Sequence, residues 1–193
     1  YSKMVSYSAL DYAKNALAKS DDVKLKQLVV AMLNYGAEAQ KFFGYKTDDL
    51  ANAQLSDADK FLPEVDASAY AHQIVGTGDG IKAASAKLTL DADVAIRVTF
   101  QITGGKDVSE YQFLIDGEQA EPVADSGRYY IQLDGIAASK FDDTHIFSVG
   151  GLAVHYSVLS YVNMVHNSNS AESLVNLINA LYAYYAATEA YVN

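Results

Sequence analysis

The residues able to do chemistry in this chain are carboxylates, imidazoles and phenols: it contains 24 Asp plus Glu, 4 His and 15 Tyr, and no cysteine. Disulfides, thiolate nucleophiles and cysteine-based zinc sites are therefore excluded outright. His72, His145, His155 and His166 are dispersed over the chain without HExxH or comparable ligand spacing, so they read as ordinary surface or core histidines. Acidic runs at Asp91 and Asp93, Asp116 and Glu118, and Asp142 and Asp143 offer oxygen ligands for calcium, but none follows an EF-hand loop and turn chemistry is the simpler account. The glycines of "GTGDG" at 76–80 lack the strand-to-helix setting and the Lys-Ser/Thr of a phosphate loop, and they read as a flexible turn. There is no GxSxG nucleophile elbow. A glycosidase pair of carboxylates is defined by distance in space, so sequence neither supports nor removes it. No motif calls for a cofactor or a metal, and the expectation is a protein that is not an enzyme.

Tyrosine is the better lead. In "RYYIQLD" the period-2 rule puts Tyr129, Ile131 and Leu133 on one strand face, with Tyr130 and Gln132 on the other. A phenol flanked by Arg128, Gln132 and Asp134 suits a sugar, whose C–H face packs on an aromatic ring while its hydroxyls meet planar polar groups. The expected ligand-binding residues are thus Tyr130, Gln132, Arg128 and Asp134. The competing reading buries the Tyr130 ring against the fold and leaves its hydroxyl wet. Tyr7, Tyr12, Tyr35, Tyr156, Tyr161 and Tyr184 recur at helical spacing and read as interface core.

The elements that must carry these residues follow from periodicity. Residues 7–43 overlay residues 156–192 without a gap, matching Tyr7 to Tyr156, Leu10 to Leu159, Leu28 to Leu177, Ala31 to Ala180 and Tyr35 to Tyr184. Each copy reads as a short helix, about 6–19 and 157–166, followed by a long amphipathic one. Leu25, Leu28, Val29 and Met32 form the apolar stripe of the first long helix, and Leu174, Leu177, Ile178 and Leu181 that of the second. Ser20 predicts the N-cap of the first and Asn169 or Ser170 that of the second, with Gly44 as a C-terminal stop. A short helix is expected in "SDADKFLP", ended by Pro63. Beyond it the spacing drops to period 2: Val94, Ile96, Val98 and Phe100 share a face, with Arg97 and Thr99 opposite. Asp116-Gly117 marks a tight hairpin, and roughly six to eight strands are expected before Tyr156.

The reading is α+β: an antiparallel β-sandwich inserted between two related α-helical hairpins that pack together. It is a single module over 1–193, divided into an N-terminal hairpin plus short helix (1–62), a β-sandwich (66–155) and a C-terminal hairpin (156–193). A formal charge of -10 disfavours phosphate backbones and anionic membrane surfaces, so nucleic acid is not expected as a partner. No apolar run approaches the roughly 20 residues of a spanning helix, so membrane insertion is not expected either.

"LVVAMLNYGAEAQKFFGYKTDDLAN" at 28–52, with "VHYSVLSYV" and "LVNLINALYAYYAATEAYV" near the C-terminus, resembles a poorly characterised module of large surface and secreted proteins in clostridial gut and rumen anaerobes. That module often sits beside dockerin, leucine-rich or immunoglobulin-like domains. The resemblance covers most of the chain, is carried by its helical ends, and brings no catalytic residues. It implies an extracellular or cell-surface location, a cellulosome- or surface-associated modular parent, and neighbouring domains as partners. The combined expectation is a non-catalytic carbohydrate-binding or adhesion module for polysaccharide. Its alternative is a structural spacer or protein-interaction module without a glycan ligand.

Overall fold

The computed structural model describes residues 9–90 and 93–193. Tyr7 and Ser8 of the repeated phrase, and Asp91 of the acidic runs, lie outside the described residues. The described residues form a mixed α+β fold with four α-helices and two antiparallel sheets. Their contacts fall into two compact units: one comprises the described residues up to Val65 with Ser168–Asn193, the other Asp66–Asn167.

The first unit holds α1 (Ala9–Lys19), α2 (Val23–Phe43) and α4 (Glu172–Val192). α2 begins two residues later than the Ser20 cap predicts. Asp22 is the N-cap, its Oδ1 accepting from Leu25 N at 3.1 Å, while Ser20 Oγ accepts from Asp22 N at 3.1 Å. Gly44 ends the helix in the left-handed conformation at φ 67°, as a C-terminal stop requires. α4 starts after Ala171, which makes no side-chain cap bond, so neither Asn169 nor Ser170 is its cap.

α2 departs from the single stripe expected of it because it has two partners. Val29 and Leu33 are buried with Ala13 of α1 and Leu55, while Tyr35 stacks on Tyr184 of α4 at 6.1 Å between centroids. Ala31 is buried on α2, and Leu177, Ile178, Ala180 and Leu181 are buried on α4. Each full burial of a Val, Leu or Ile contributes roughly 1.5–3 kcal/mol, so α2 is held chiefly by packing on two sides. The predicted short helix at 56–63 is instead a set of turns: Ser56 Oγ accepts from Asp59 N at 3.2 Å, Lys60 N bonds the Ser56 carbonyl, and no regular helix follows. Only a few residues separate that cap from Pro63, too few to repay helix nucleation.

The second unit carries nine strands and α3 (Val158–His166). One sheet has five strands: β1 (Gln73–Gly76), β9 (Leu152–Tyr156), β8 (His145–Val149), β4 (Phe113–Ile115) and β5 (Glu118–Gln119), in that spatial order. The other has four: β2 (Ile81–Thr89), β3 (Ala95–Ile102), β7 (Arg128–Leu133) and β6 (Val123–Asp125). Ile96, Val98 and Phe100 are fully buried on one face of β3, as the alternation predicts, and Phe100 meets Phe113 of the other sheet edge-on at 5.9 Å. Asp116 and Gly117 take φ 52° and 88°, the left-handed pair of a type I′ hairpin between β4 and β5.

The sequence reading set the start of a C-terminal hairpin at 156. The contacts group its first helix, α3, with the sheets, and its second, α4, with α1 and α2. α3 is capped by Ser157, whose Oγ accepts from Ser160 N at 3.0 Å. Val158, Leu159, Val162 and Val165 are buried along it; Leu159 N bonds the Phe141 carbonyl at 3.0 Å and Asn163 Nδ2 the Ala67 carbonyl at 3.1 Å. Those anchors and its contact with β2 give α3 an apolar partner that local periodicity does not reveal.

Candidate functional site

The outward face of the four-stranded sheet gathers the residues singled out in β7. Alternation on β7 turns Ile131 inward, fully buried, and leaves Tyr130 and Gln132 half-buried on the other side. The register sets Gln132 opposite Arg97 and Tyr130 opposite Thr99, with Lys87 of β2 beyond Arg97 and Val123 of β6 beyond Tyr130. Arg97 is the organising residue. Its Nε donates to Gln132 Oε1 at 2.7 Å, and its Cζ lies 4.0 Å from the centroid of the Tyr130 ring. Gln132 Nε2 in turn donates to Asp134 Oδ1. Asp134 and Arg128 are exposed at the two ends of the strand, Arg128 opposite Asp125.

Three of the four expected residues, Tyr130, Gln132 and Asp134, therefore stand in one connected array, and Arg128 lies at its far end. The expectation of an open Tyr130 ring needs correction: one ring face already holds the Arg97 guanidinium. A cation stacked on an aromatic face gains about 0.5–1 kcal/mol at an exposed site, and the hydrogen bond to Gln132 restricts the guanidinium further. The resulting surface is a composite of phenol, guanidinium, amide and carboxylate with fixed donors and acceptors. Arg97 was visible in the sequence on the wet face of its strand, but only the β3–β7 register brings it over Tyr130.

Several other residues with chemical potential are engaged in local structure. Asp116 locks its turn, with Oδ2 2.7 Å from His145 Nδ1 and Oδ1 accepting from Ile146 N at 2.7 Å. Asp143 pairs with Lys140 at 3.6 Å. The 76–80 loop, expected to be a flexible turn, is tied at several points: the Asp79 carbonyl accepts from Tyr111 Oη at 2.7 Å, its carboxylate pairs with Lys106, and the Gly80 carbonyl accepts from Thr103 N at 2.7 Å. His72 is exposed beside Tyr156, with 5.9 Å between ring centroids, and His166 is exposed at the C-terminus of α3. Among the described residues, no three His, Cys, Asp or Glu side chains come together in a group that could hold a metal ion, and no helix is long and apolar enough to cross a membrane.

Burial raises the phenols of Tyr35, Tyr156 and Tyr161. The Tyr156 hydroxyl is pushed far above the ordinary phenol range by desolvation and then by Tyr161; Tyr35 is raised by burial and then by Tyr184, and Tyr161 by burial. Comparison of the chain with family models, curated proteins and solved structures finds no match.

Proposed function

We propose that this chain is a non-catalytic extracellular module that binds polysaccharide on the outward face of its four-stranded sheet. The observation that carries this reading is the Arg97–Tyr130–Gln132–Asp134 array. Its planar polar groups are held in place before any ligand arrives, which lowers the ordering cost of binding. Sugar hydroxyls pair with the guanidinium, amide and carboxylate, and the remaining phenol surface packs against pyranose C–H groups. In the same reading the two sheets form a sandwich, and α2 and α4 pack together in a separate helical unit of a larger modular surface protein.

The test is affinity electrophoresis of the chain against soluble polysaccharides, with Tyr130→Ala, Arg97→Ala and Gln132→Ala alongside. Retardation by a particular glycan, lost in all three variants, is the expected result. Retardation that persists in the variants would retain glycan binding and reject this face as its site. No retardation over a broad panel would reject the function. The second reading is a spacer or protein-docking module. It is favoured by exposed apolar side chains at the end of α2 and in the segment after it: Phe43 is 54% exposed, Tyr45 61% and Phe61 76%.

A further inference from the structure

Charge is spread unevenly over this chain, and the four-stranded sheet collects the minority sign. The whole chain has 14 Lys plus Arg against 24 Asp plus Glu. The strands of that sheet carry Lys82, Lys87, Arg97 and Arg128 with a single carboxylate, Asp125. All four cations belong to its outward side. The register sets Lys82 opposite Gln101 and Lys87 opposite Arg97, and alternation on β7 keeps Arg128 on the face of Tyr130. Lys82, Lys87 and Arg128 are exposed and Arg97 is half-buried.

None of these cations is neutralised within the chain. Among the described residues the ion pairs lie elsewhere, and even Asp125, opposite Arg128 in the register, makes none with it. Lys87 and Arg97 stand directly across from each other, an arrangement of like charges that works against strand pairing. Arg97 is also held in place, by the Gln132 amide and the Tyr130 ring. Only its Nε is hydrogen-bonded among the described residues, so both Nη groups keep their N–H donors for a ligand. A carboxylate accepts two parallel bonds from such a fork. Asp134, one residue past β7 and bonded to Gln132 Nε2, can only accept, and so calls for hydroxyl donors beside the anion. A uronic acid carries both groups on one ring, whereas a densely sulfated sugar would bring more negative charge against Asp134.

We infer that the polysaccharide of this face is acidic, a chain of uronic acid residues. The inference rests on the polysaccharide reading above and narrows it. A ring carboxylate takes the Nη fork of Arg97 with Lys87 as the second charge, and a sugar hydroxyl donates to Asp134. Binding of the anion relieves the repulsion between Lys87 and Arg97. Lys82 and Arg128 flank the array and attract the neighbouring residues of the glycan at longer range.

The probes are polygalacturonate and its methyl ester, which share rings, hydroxyls and linkages and differ in charge. Dextran sulfate serves as a polyanion without ring carboxylates, and xyloglucan as a neutral glycan. Affinities for the full chain are measured by titration calorimetry at low and at high salt. Polygalacturonate is expected to bind about tenfold more tightly than its ester at low salt, the ratio that one charge-assisted hydrogen bond supplies. Screening at high salt is expected to shrink that ratio. Arg97→Gln is expected to weaken polygalacturonate about tenfold, and Lys87→Gln about threefold, in the range of an exposed ion pair. Lys24→Gln removes the same charge from an exposed position on α2 and is expected to change nothing. Thermal melts establish that each variant is folded; if Arg97→Gln is not, Lys87→Gln against Lys24→Gln decides. Ester or xyloglucan bound as tightly as polygalacturonate would overturn the inference and leave the polysaccharide reading standing. Binding to none of the glycans would overturn both. A preference for dextran sulfate, or an equal loss in Lys24→Gln, would reduce the face to a general attraction for polyanions and overturn the inference.

Discussion

Asn34 offers the sharpest test of how the helical unit is held together. It sits on α2 with 3% exposure, and its Nδ2 donates to the Asp59 carbonyl at 2.8 Å while its Oδ1 accepts from Asn52 Nδ2 at 2.9 Å. Asn52 is also buried, at 6% exposure, so the two amides form a chain that fastens the turns after α2 onto the helix. Replacing Asn34 by Leu removes both bonds and strands the Asn52 amide, whereas the Asp59 carbonyl, on an exposed residue, can turn to water. Two lost bonds at about 1 kcal/mol each, plus part of a desolvation penalty of about 1–3 kcal/mol, give an expected loss of about 2–4 kcal/mol. Asn52→Ala loses one bond and leaves Asn34 Oδ1 unpaired, for about 1–3 kcal/mol. The double variant should cost about 1–2 kcal/mol less than the sum, since the shared bond is counted once. Gln40 supplies an internal control. It grips the same segment through Lys46 and Asp49 carbonyls and through Ala51 N at 2.7 Å, so the segment stays attached when Asn34 is changed. The assay is urea unfolding followed by circular dichroism and tyrosine fluorescence, with coincident transitions and unchanged m as the condition for comparing midpoints. A loss below about 0.5 kcal/mol for Asn34→Leu, or strict additivity in the double variant, would refute the coupled-amide account.

The remaining predictions concern packing and titration. Phe at position 180, where the native Ala180 is fully buried, should cost about 1–3 kcal/mol through overpacking, and Ala31→Phe, at a site with 7% exposure, should fall in the same range. Thermal melts of both variants indistinguishable from the parent would reject the α2–α4 contact. Tyr156→Phe should stabilise the chain by about 1 kcal/mol, because it removes a hydroxyl with no partner among the described residues and keeps the ring; a clear loss would mean that the hydroxyl has a partner. Because Tyr35, Tyr156 and Tyr161 ionise less readily folded than unfolded, the unfolded chain releases protons first as pH rises above about 10, and stability should fall there. Tyr156→Phe should make that alkaline fall shallower, which urea titrations at stepped pH would measure. An identical pH slope would refute its raised phenol.

Much of the fold was legible because it depends on near neighbours in the chain. The long helices announced themselves through apolar spacing, and Gly44 marked a stop. Asp116-Gly117 marked a turn whose left-handed backbone few other pairs tolerate, and the alternation in β3 and β7 picked out the inward Ile96, Val98, Phe100 and Ile131, although Thr99, expected on the wet face, is buried as well. The failures arose where a residue had more than one local option. Ser20 and Asp22 could each cap α2, and hydrogen bonding decided for Asp22 while using Ser20 just upstream. "SDADKFLP" had a cap and a terminator but too little between them to sustain a helix.

Sequence alone therefore pointed to the long helices, to the strands between them and to the inward residues of β3 and β7, since these follow from backbone preference and from the periods of helix and strand. Tertiary structure decided the partners. It divided the second hairpin by burying α3 with the sheets and α4 with α1 and α2, and it made α2 apolar on two sides. It laid Arg97 over Tyr130 through a register between strands 35 residues apart at Arg97 and Gln132. Periodicity specifies which face of an element is apolar. Only the competition among all such faces for burial specifies what each one meets.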